Sequence, residues 1–227
     1  MDLKDYQSQT LVEVAYKALK KDITERVLLP GQKMILREIH ERYGISETPI
    51  KQALNRLIAE GIVESIPRRG MRVRTIQWEE IEELMDIRLM IETYYLERVM
   101  QTFHNEAGVK ENFLRILTEH WQVINHVSDV DDYFKNYYLD QEFHQLFVKC
   151  SKNKRMLQIY NNLGTHDYSY YVYGRQGKEG MIAGVKEHED IYNALLAQDE
   201  DILRKGIEIH IINAKNNVHQ MLDKNKR

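Results

Sequence analysis

Four side chains in the second half of the sequence could together hold a metal ion. Asp140 and His144 are four residues apart, so they would lie on one face of a helix. His188 and His210 fall in the last two predicted helices, and antiparallel packing of these helices would bring both imidazoles to the same depth. One carboxylate and three imidazoles suit a divalent transition metal such as Zn²⁺, Ni²⁺ or Mn²⁺. An octahedral ion would keep two positions for water or for the carboxylate of a small molecule.

A simpler interpretation competes with this one. The chain has nine histidines, and a histidine on a helix is more often a surface or core residue than a metal ligand. Spacing alone therefore leaves the metal site as one of two alternatives. It also leaves open which metal would bind, and whether the metal would be structural or would hold a ligand.

The elements that would position these side chains are helices. From Trp78 onward the pattern is helical, with predicted helices at 79–104, 106–127, 129–150, 153–173, 181–197 and 199–222, and with a glycine-rich break from Gly174 to Gly184. All three prolines lie within the first 70 residues, so the remaining sequence permits long uninterrupted helices. Six helices of this length predict an antiparallel bundle.

The first third of the chain predicts a different architecture. Apolar residues recur at helical spacing in 11–27, 36–43 and 47–60, and two short strands follow at 62–66 and 71–74. Ser46 is expected to cap the third helix with its hydroxyl, and Gly61 to end that helix. Three helices and a β-hairpin make a winged helix-turn-helix, in which the exposed start of one helix enters the DNA major groove. We therefore predict a mainly α protein, with a winged helix-turn-helix domain at 1–76 and an all-helical antiparallel bundle at 77–227.

The charges divide at the same place. Residues 1–75 carry 14 Lys and Arg against 10 Asp and Glu, a net charge of +4, whereas the remaining 18 basic and 25 acidic residues give −7. A basic first part suits contact with phosphates. The sequence contains no apolar run of about 18 residues that would cross a membrane, and its N-terminus lacks the apolar core of a signal peptide. The one cysteine, Cys150, cannot form an intrachain disulfide. These features favour the cytoplasm.

Two segments resemble a known family. The stretch Leu29-Pro30-Gly31 through Gly44-Ile45-Ser46-Glu47-Thr48-Pro49-Ile50-Lys51-Gln52-Ala53-Leu54 resembles the DNA-binding domain of GntR-family transcription regulators. The helical remainder resembles the ligand-binding FCD domain of the FadR subfamily. The pattern of that domain, an aspartate shortly before Phe-His and two later histidines, is matched at Asp140, His144, His188 and His210. The resemblance implies a repressor, not an enzyme, that binds a double-stranded DNA operator as a homodimer and responds to a small carboxylate effector.

The resemblance also assigns roles to individual residues. Its DNA-binding positions are Arg37, Ser46, Glu47, Thr48, Lys51 and the wing tip Arg68, Arg69 and Gly70. Glu47 and Lys51 stand where the family usually has arginines, so the operator is expected to differ from the usual one. Glu47 is suited to accept a hydrogen bond from a cytosine amino group, whereas Lys51 can hold a phosphate. The alternative for the wing arginines is ordinary solvated surface charge.

Effector contacts are assigned in the bundle. Arg88 matches an arginine that recurs in the family and could pair with an effector carboxylate. Helical phase places three further candidates on the side of the bundle that would face the effector, namely His166, Tyr170 and Asn213. The aromatic run 168–173 is expected to be core or interface.

Two alternative functions remain. One is a metal sensor with the metal as effector, and the other is a metal-dependent enzyme fused to a DNA-binding domain, although no nearby residue stands out as a general base.

Overall fold

The computed structural model describes residues 10–128, 130–164 and 176–223, and the chain divides into two compact units, 1–75 and 76–227. The first unit contains α1 (Leu11–Thr24), α2 (Leu36–Tyr43), α3 (Glu47–Ala59), β1 (Val63–Ile66) and β2 (Gly70–Val73). The two strands are antiparallel, with Val63 opposite Val73 and Ile66 opposite Gly70. This order of elements confirms the predicted winged helix-turn-helix.

The core of this unit follows from the spacing of apolar residues on α1 and α3. Ala15 and Leu19 on α1 are buried, as are Ile50, Ala53 and Leu54 on α3, and the two helices pack against each other. Since these residues recur every three or four positions, they occupy one side of each helix. The other side of α3 stays exposed, beginning at Glu47.

The helix ends agree with the sequence at one end of α3 and not at the other. Ser46 occupies the N-cap position, but its side chain makes no capping hydrogen bond, so the expected hydroxyl cap is wrong. Ser46 is exposed, and water can satisfy its hydroxyl and the amides beside it. At the other end Gly61 has a φ of +70°, and Ile62 N–H donates to the Leu57 carbonyl at 2.9 Å. The glycine therefore ends α3 as predicted.

The second unit is helical throughout its described part. It contains α4 (Trp78–Tyr94), α5 (Leu96–Asn105), α6 (Val109–His126), α7 (Val130–Cys150), α8 (Lys154–Asn162), α9 (Lys178–Ala197) and α10 (Glu200–Asp223). Paired contacts give the directions of the helices. His120 on α6 meets Asn136 on α7, while Arg115 meets Glu142. These pairs run in opposite order along the chain, so α6 and α7 are antiparallel.

Aromatic side chains fill the middle of this bundle. Phe103, Phe113, Phe143 and Phe147 are buried together, and the rings of Phe113 and Phe143 meet edge to face with centroids 5.2 Å apart, an arrangement that aromatic pairs prefer. Within the described residues, the structure has no helix that is long and apolar enough to span a bilayer.

Three predicted helix boundaries in this unit are wrong. The helix predicted at 79–104 breaks at Tyr95, where φ is −118° and ψ is 38°, although no proline or glycine is present. The carbonyl of Thr93 there accepts a hydrogen bond from Arg204 of α10 at 3.3 Å. This partner comes from 111 residues away in sequence, so no local pattern could indicate the break.

The other two boundaries involve glycines. The helix predicted at 153–173 ends at Asn162, before Gly164, and the aromatic run 168–173 lies outside the described residues. Helix α9 begins at Lys178, three residues before the predicted start at 181, and so includes Gly180, which was expected to lie in a break. Packing of α9 between α6 and α10 overrides the helix cost of each glycine, about 1 kcal/mol.

Candidate metal centre and DNA-binding surface

The four predicted metal ligands converge in the interior of the bundle. Asp140 and His144 are on α7, His188 is on α9 and His210 is on α10, and one ligand atom from each lies within 4.8 Å of the others. The Nε2 atom of His144 is 3.1 Å from the Nε2 atoms of both His188 and His210. The Oδ1 atom of Asp140 is 3.2 Å from His188 Nε2. The histidines are buried and Asp140 is partly exposed.

These spacings suit a shared ion. Zinc binds imidazole nitrogen at about 2.1 Å, so two such nitrogens at tetrahedral or octahedral angles would lie about 3.0–3.4 Å apart. The 3.1 Å separations fall within this range. The cluster therefore has both the donor types and the spacing of a divalent transition-metal site.

Carboxylates fix the protonation of two of the imidazoles. His144 Nδ1 lies 2.7 Å from Glu92 Oε2, and His210 Nδ1 lies 2.8 Å from Glu187 Oε2. Because a carboxylate accepts, each Nδ1 carries the proton and each Nε2 presents a lone pair. The lone pairs of His144 and His210 thus point at each other across 3.1 Å, an arrangement that a bound cation would stabilise. Carboxylates on the far side of metal-ligating histidines are the usual means of orienting them.

Glu92 is the centre of a buried polar network. Its Oε1 accepts hydrogen bonds from Arg88 Nε and from the Tyr160 hydroxyl, both at 2.8 Å, while Oε2 accepts from His144. Burial opposes ionisation of this carboxyl, but His144 and Arg88 outweigh that effect and hold the Glu92 pKa below its usual range. The carboxylate is therefore charged in the interior and compensates Arg88.

Burial favours the neutral form of two of the imidazoles, His144 and His188, and the neutral form is the one that binds metals. Burial lowers the pKa of His144 to about 4, with Arg88 adding to the effect. Burial also lowers the pKa of His188, against the opposing influence of Asp140. His188 stacks on Phe143 with ring centroids 4.3 Å apart, and its Nδ1 has no hydrogen-bond partner among the described residues. The stacking orients this third imidazole without a carboxylate at its Nδ1 atom.

A small cavity of about 70 Å³ adjoins the cluster. Arg88, Asp140, Glu187 and His210 border it. Arg88, predicted to meet an effector, does line this cavity. Asn213 is not among the lining residues, and its Nδ2 donates to Glu187 Oε1 at 2.6 Å, so it positions a carboxylate that holds His210. His166 and Tyr170 lie outside the described residues.

Sequence reasoning did not find Glu92, Glu187 or His120, which also lines the cavity. The four-residue spacing of Arg88 and Glu92 was a usable signal for Glu92, since such pairs share a helix face. Glu187 and His120 have no comparable signal, because their partners come from other helices.

The predicted DNA contacts form two exposed groups in the first unit. Ser46, Glu47, Thr48 and Lys51 are exposed at the start of α3. Arg37 is exposed on α2, where its Nε lies 3.1 Å from Glu41. These positions leave α3 accessible at the end that helix-turn-helix proteins insert into the major groove.

The wing forms the second group. The tip is exposed: Arg68 and Arg69 lie in the turn after β1, and Gly70 is the first residue of β2. Arg68 has a φ of 64° and Gly70 a φ of 90°, and positive φ is uncommon for a residue with a side chain. Below the tip, Arg72 Nε and Glu64 Oε1 are 2.7 Å apart across the strands. The hairpin thus presents two arginines on a short, cross-linked ribbon.

Comparison with known proteins decides the family. Residues 11–73 match the sequence model of the bacterial regulatory proteins of the gntR family, and residues 83–213 match that of the FCD domain. The chain belongs to the GntR family. Its second unit is an FCD domain, as the sequence resemblance implies.

Individual relatives of this GntR protein are regulators as well. It is 25% identical to the transcriptional repressor RspR of Escherichia coli over 220 residues, which cover 96% of this chain and 93% of RspR. It is 24% identical to the gluconate operon transcriptional repressor of Bacillus licheniformis, over 88% of this chain and 82% of that one. In fold it is similar to Lar, which controls the agr system of Listeria monocytogenes, with a TM-score of 0.67, 16% identity, and coverage of 93% and 98%.

These findings settle the broad function. The protein is a DNA-binding transcription regulator, and its relatives and domains are regulators, not enzymes. The alternative of a metal-dependent enzyme is therefore dropped. FCD domains can bind metal, and the described part of this one contains the Asp/His₃ cluster.

Proposed function

We propose that this GntR protein is a cytoplasmic repressor whose affinity for its DNA operator is controlled by a small carboxylate bound beside a divalent transition metal. The observation that carries the proposal is the cluster of Asp140, His144, His188 and His210 at the edge of a cavity that Arg88 also borders. Four protein ligands would leave two positions of an octahedral ion, Mn²⁺ or Ni²⁺ for example, for an incoming carboxylate. The buried guanidinium favours the same anion.

The chemistry of the cavity supports an acid over a neutral ligand. A cation and a buried arginine attract an anion more strongly in a partly enclosed cavity than in bulk water, because the local dielectric constant is lower. One relative is named for the gluconate operon, and gluconate is itself a carboxylate. A ligand that binds one arrangement of the FCD domain better than another shifts the population towards it, and this shift can change operator affinity.

One titration tests the proposal. Operator binding of the full chain is measured with metal alone, with gluconate and a panel of smaller carboxylates alone, and with metal and acid together, using an operator selected from random duplex DNA. We expect release only when metal and an acid are both present. Release by metal alone would instead identify a metal sensor, and operator binding that none of these additions changes would contradict ligand control.

The DNA contact of Lys51 gives a quantitative prediction. Lys51→Ala should weaken operator binding roughly 10- to 100-fold and reduce the slope of log affinity against log salt by about one per subunit, since each phosphate contact contributes about that much. The measurement is fluorescence anisotropy across a series of salt concentrations. Lys17→Ala, an exposed lysine on α1, is the matched control and should change neither quantity. An unchanged slope for Lys51→Ala would show that Lys51 does not contact a phosphate.

Two features support the proposed homodimer. Helix-turn-helix proteins bind two half-sites about one helical turn apart, which needs two copies of the DNA-binding unit. In the FCD domain, Ile87, Met90 and Tyr94 follow one face of α4 and are 38%, 62% and 71% exposed. Helix α10, which packs beside α4, exposes Ile209 and Ile212. Neighbouring apolar groups of this kind mark association surfaces.

A charge on this face should separate the subunits. Met90→Glu is expected to weaken dimerisation at least about 100-fold, because a carboxylate would be buried without a partner. Sedimentation equilibrium measures the change. Tyr138→Glu is the control, since Tyr138 is 75% exposed and belongs to a different helix, α7. A Met90→Glu protein that remains dimeric would place the subunit contact elsewhere.

A further inference from the structure

His120 is a buried histidine on the wall of the cavity beside the metal ligands. It lies on α6, is 2% exposed, and lines the cavity together with Arg88 and Asp140. Its ring centroid is 5.7 Å from that of His188. A buried polar side chain in such a place needs hydrogen-bond partners for both ring nitrogens.

The protein supplies a partner for one nitrogen. His120 Nε2 is 2.9 Å from the side-chain oxygen of Asn136, so Nε2 carries the proton and donates it to this oxygen. The other nitrogen, Nδ1, is buried and has no hydrogen-bond partner among the described residues. In a neutral imidazole with Nε2 protonated, Nδ1 is an acceptor. A residue on the cavity wall therefore carries a buried acceptor that has no donor among the described residues.

We propose that His120 Nδ1 accepts a hydrogen bond from a hydroxyl group of the effector, which makes the effector a small hydroxycarboxylate. This inference rests on the proposed function, in which the effector carboxylate is held by the metal and Arg88. An unsubstituted acid would leave Nδ1 without a partner. An oxo group or a second carboxylate would place an acceptor oxygen against the lone pair of Nδ1, and two acceptors repel each other. Sites that hydrogen-bond a ligand hydroxyl discriminate strongly against analogues that lack it.

Charge and size agree with this assignment. Burial lowers the pKa of His120, with Asp140 and Asn136 acting in the opposite direction, which favours the neutral ring. The cavity of about 70 Å³ corresponds to roughly five to seven non-hydrogen atoms, since one water needs about 10–15 Å³ by this measure. A hydroxy acid of two to four carbons has the right size.

Three acids with one carbon skeleton test the assignment. Lactate, propionate and pyruvate differ only in carrying a hydroxyl, a hydrogen or an oxo group beside the carboxylate. Their dissociation constants are measured by calorimetry on the full chain reconstituted with Zn²⁺ and, separately, Mn²⁺. We expect one lactate enantiomer to bind at least about tenfold more tightly than propionate and pyruvate. Equal binding of the three acids, or binding of none while metal and operator are bound normally, would overturn the hydroxyl assignment.

Two variants separate recognition from a structural role. His120→Phe should reduce the preference for lactate to within about twofold, with zinc content unchanged. Asn136→Leu should leave His120 in the same place but allow either ring nitrogen to carry the proton. A protonated Nδ1 can donate to the oxo group of pyruvate, so pyruvate should gain affinity relative to lactate. A preference that survives in His120→Phe, or loss of zinc from that variant, would overturn the assignment. If lactate binds with the expected preference but leaves operator binding unchanged, the proposed function fails while the role of His120 stands.

Discussion

Replacing His144 by alanine should abolish metal binding at the proposed site. His144 Nε2 is the nitrogen that lies 3.1 Å from both other imidazole nitrogens, so its loss removes the central ligand of the cluster. We expect metal affinity to fall by well over 100-fold, because changes to the residues that merely orient ligands already cost about 10- to 100-fold. Metal content is measured by elemental analysis after dialysis. Thermal unfolding with and without added Zn²⁺ gives a second reading, since an ion that binds only the folded state raises its stability.

His126→Ala is the matched control for this experiment. His126 is exposed at the end of α6, so its removal should leave metal content and the Zn²⁺-induced stabilisation unchanged. The winged helix-turn-helix should stay folded in both variants, since the ligand cluster belongs to the second unit. Non-specific DNA binding measures whether the winged helix-turn-helix is folded. Full metal occupancy in His144→Ala would refute the ligand assignment.

Replacing Glu92 by alanine should have the largest effect on stability. The carboxylate accepts from Arg88, Tyr160 and His144 in the interior, and its removal takes away the carboxylate to which the buried guanidinium of Arg88 donates. Breaking a buried ion pair in this way costs about 3–5 kcal/mol of unfolding free energy. Metal affinity should also fall about 10- to 100-fold, because His144 loses the group that fixes its tautomer. Urea unfolding and zinc titration measure the two effects.

Two further variants separate charge from volume. Glu92→Gln keeps the size of the side chain but not its charge, so most of the stability loss should persist. Glu83→Ala removes an exposed carboxylate from the same helix and should change stability by less than about 0.5 kcal/mol. If Glu92→Gln were as stable as the unaltered protein, the buried ion pair would not be a stabilising element.

The sequence predicted the elements whose signals are local. The apolar spacing of α1 and α3 and the glycine at position 61 place the winged helix-turn-helix, because these patterns depend on neighbouring residues. The break at Tyr95 and the start of α9 at Lys178, ahead of Gly180, were missed. Both depend on packing against helices distant in the chain, and such contacts override local propensity.

The same distinction applies to the site. The four candidate ligands were identified because residue type, spacing and the family pattern agree, and the structure brings them together. The carboxylates of Glu92 and Glu187 were missed because glutamate is common and its pairing with His144 or His210 is a tertiary contact. The Ser46 cap failed for another reason, since a preference for a position does not guarantee a hydrogen bond at an exposed surface.

At Gly184 the stability of helix α9 and the volume of the adjoining cavity favour different residues. This glycine lies in the middle of α9, where alanine would stabilise the helix by about 1 kcal/mol, and it borders the cavity. A Cβ at this position would meet nothing within 4 Å, so no clash requires the glycine. Its missing side chain instead enlarges the space beside the metal ligands. A glycine-to-alanine exchange here would therefore strengthen the helix and narrow the range of ligands that fit, while leaving the Asp/His₃ cluster unaltered.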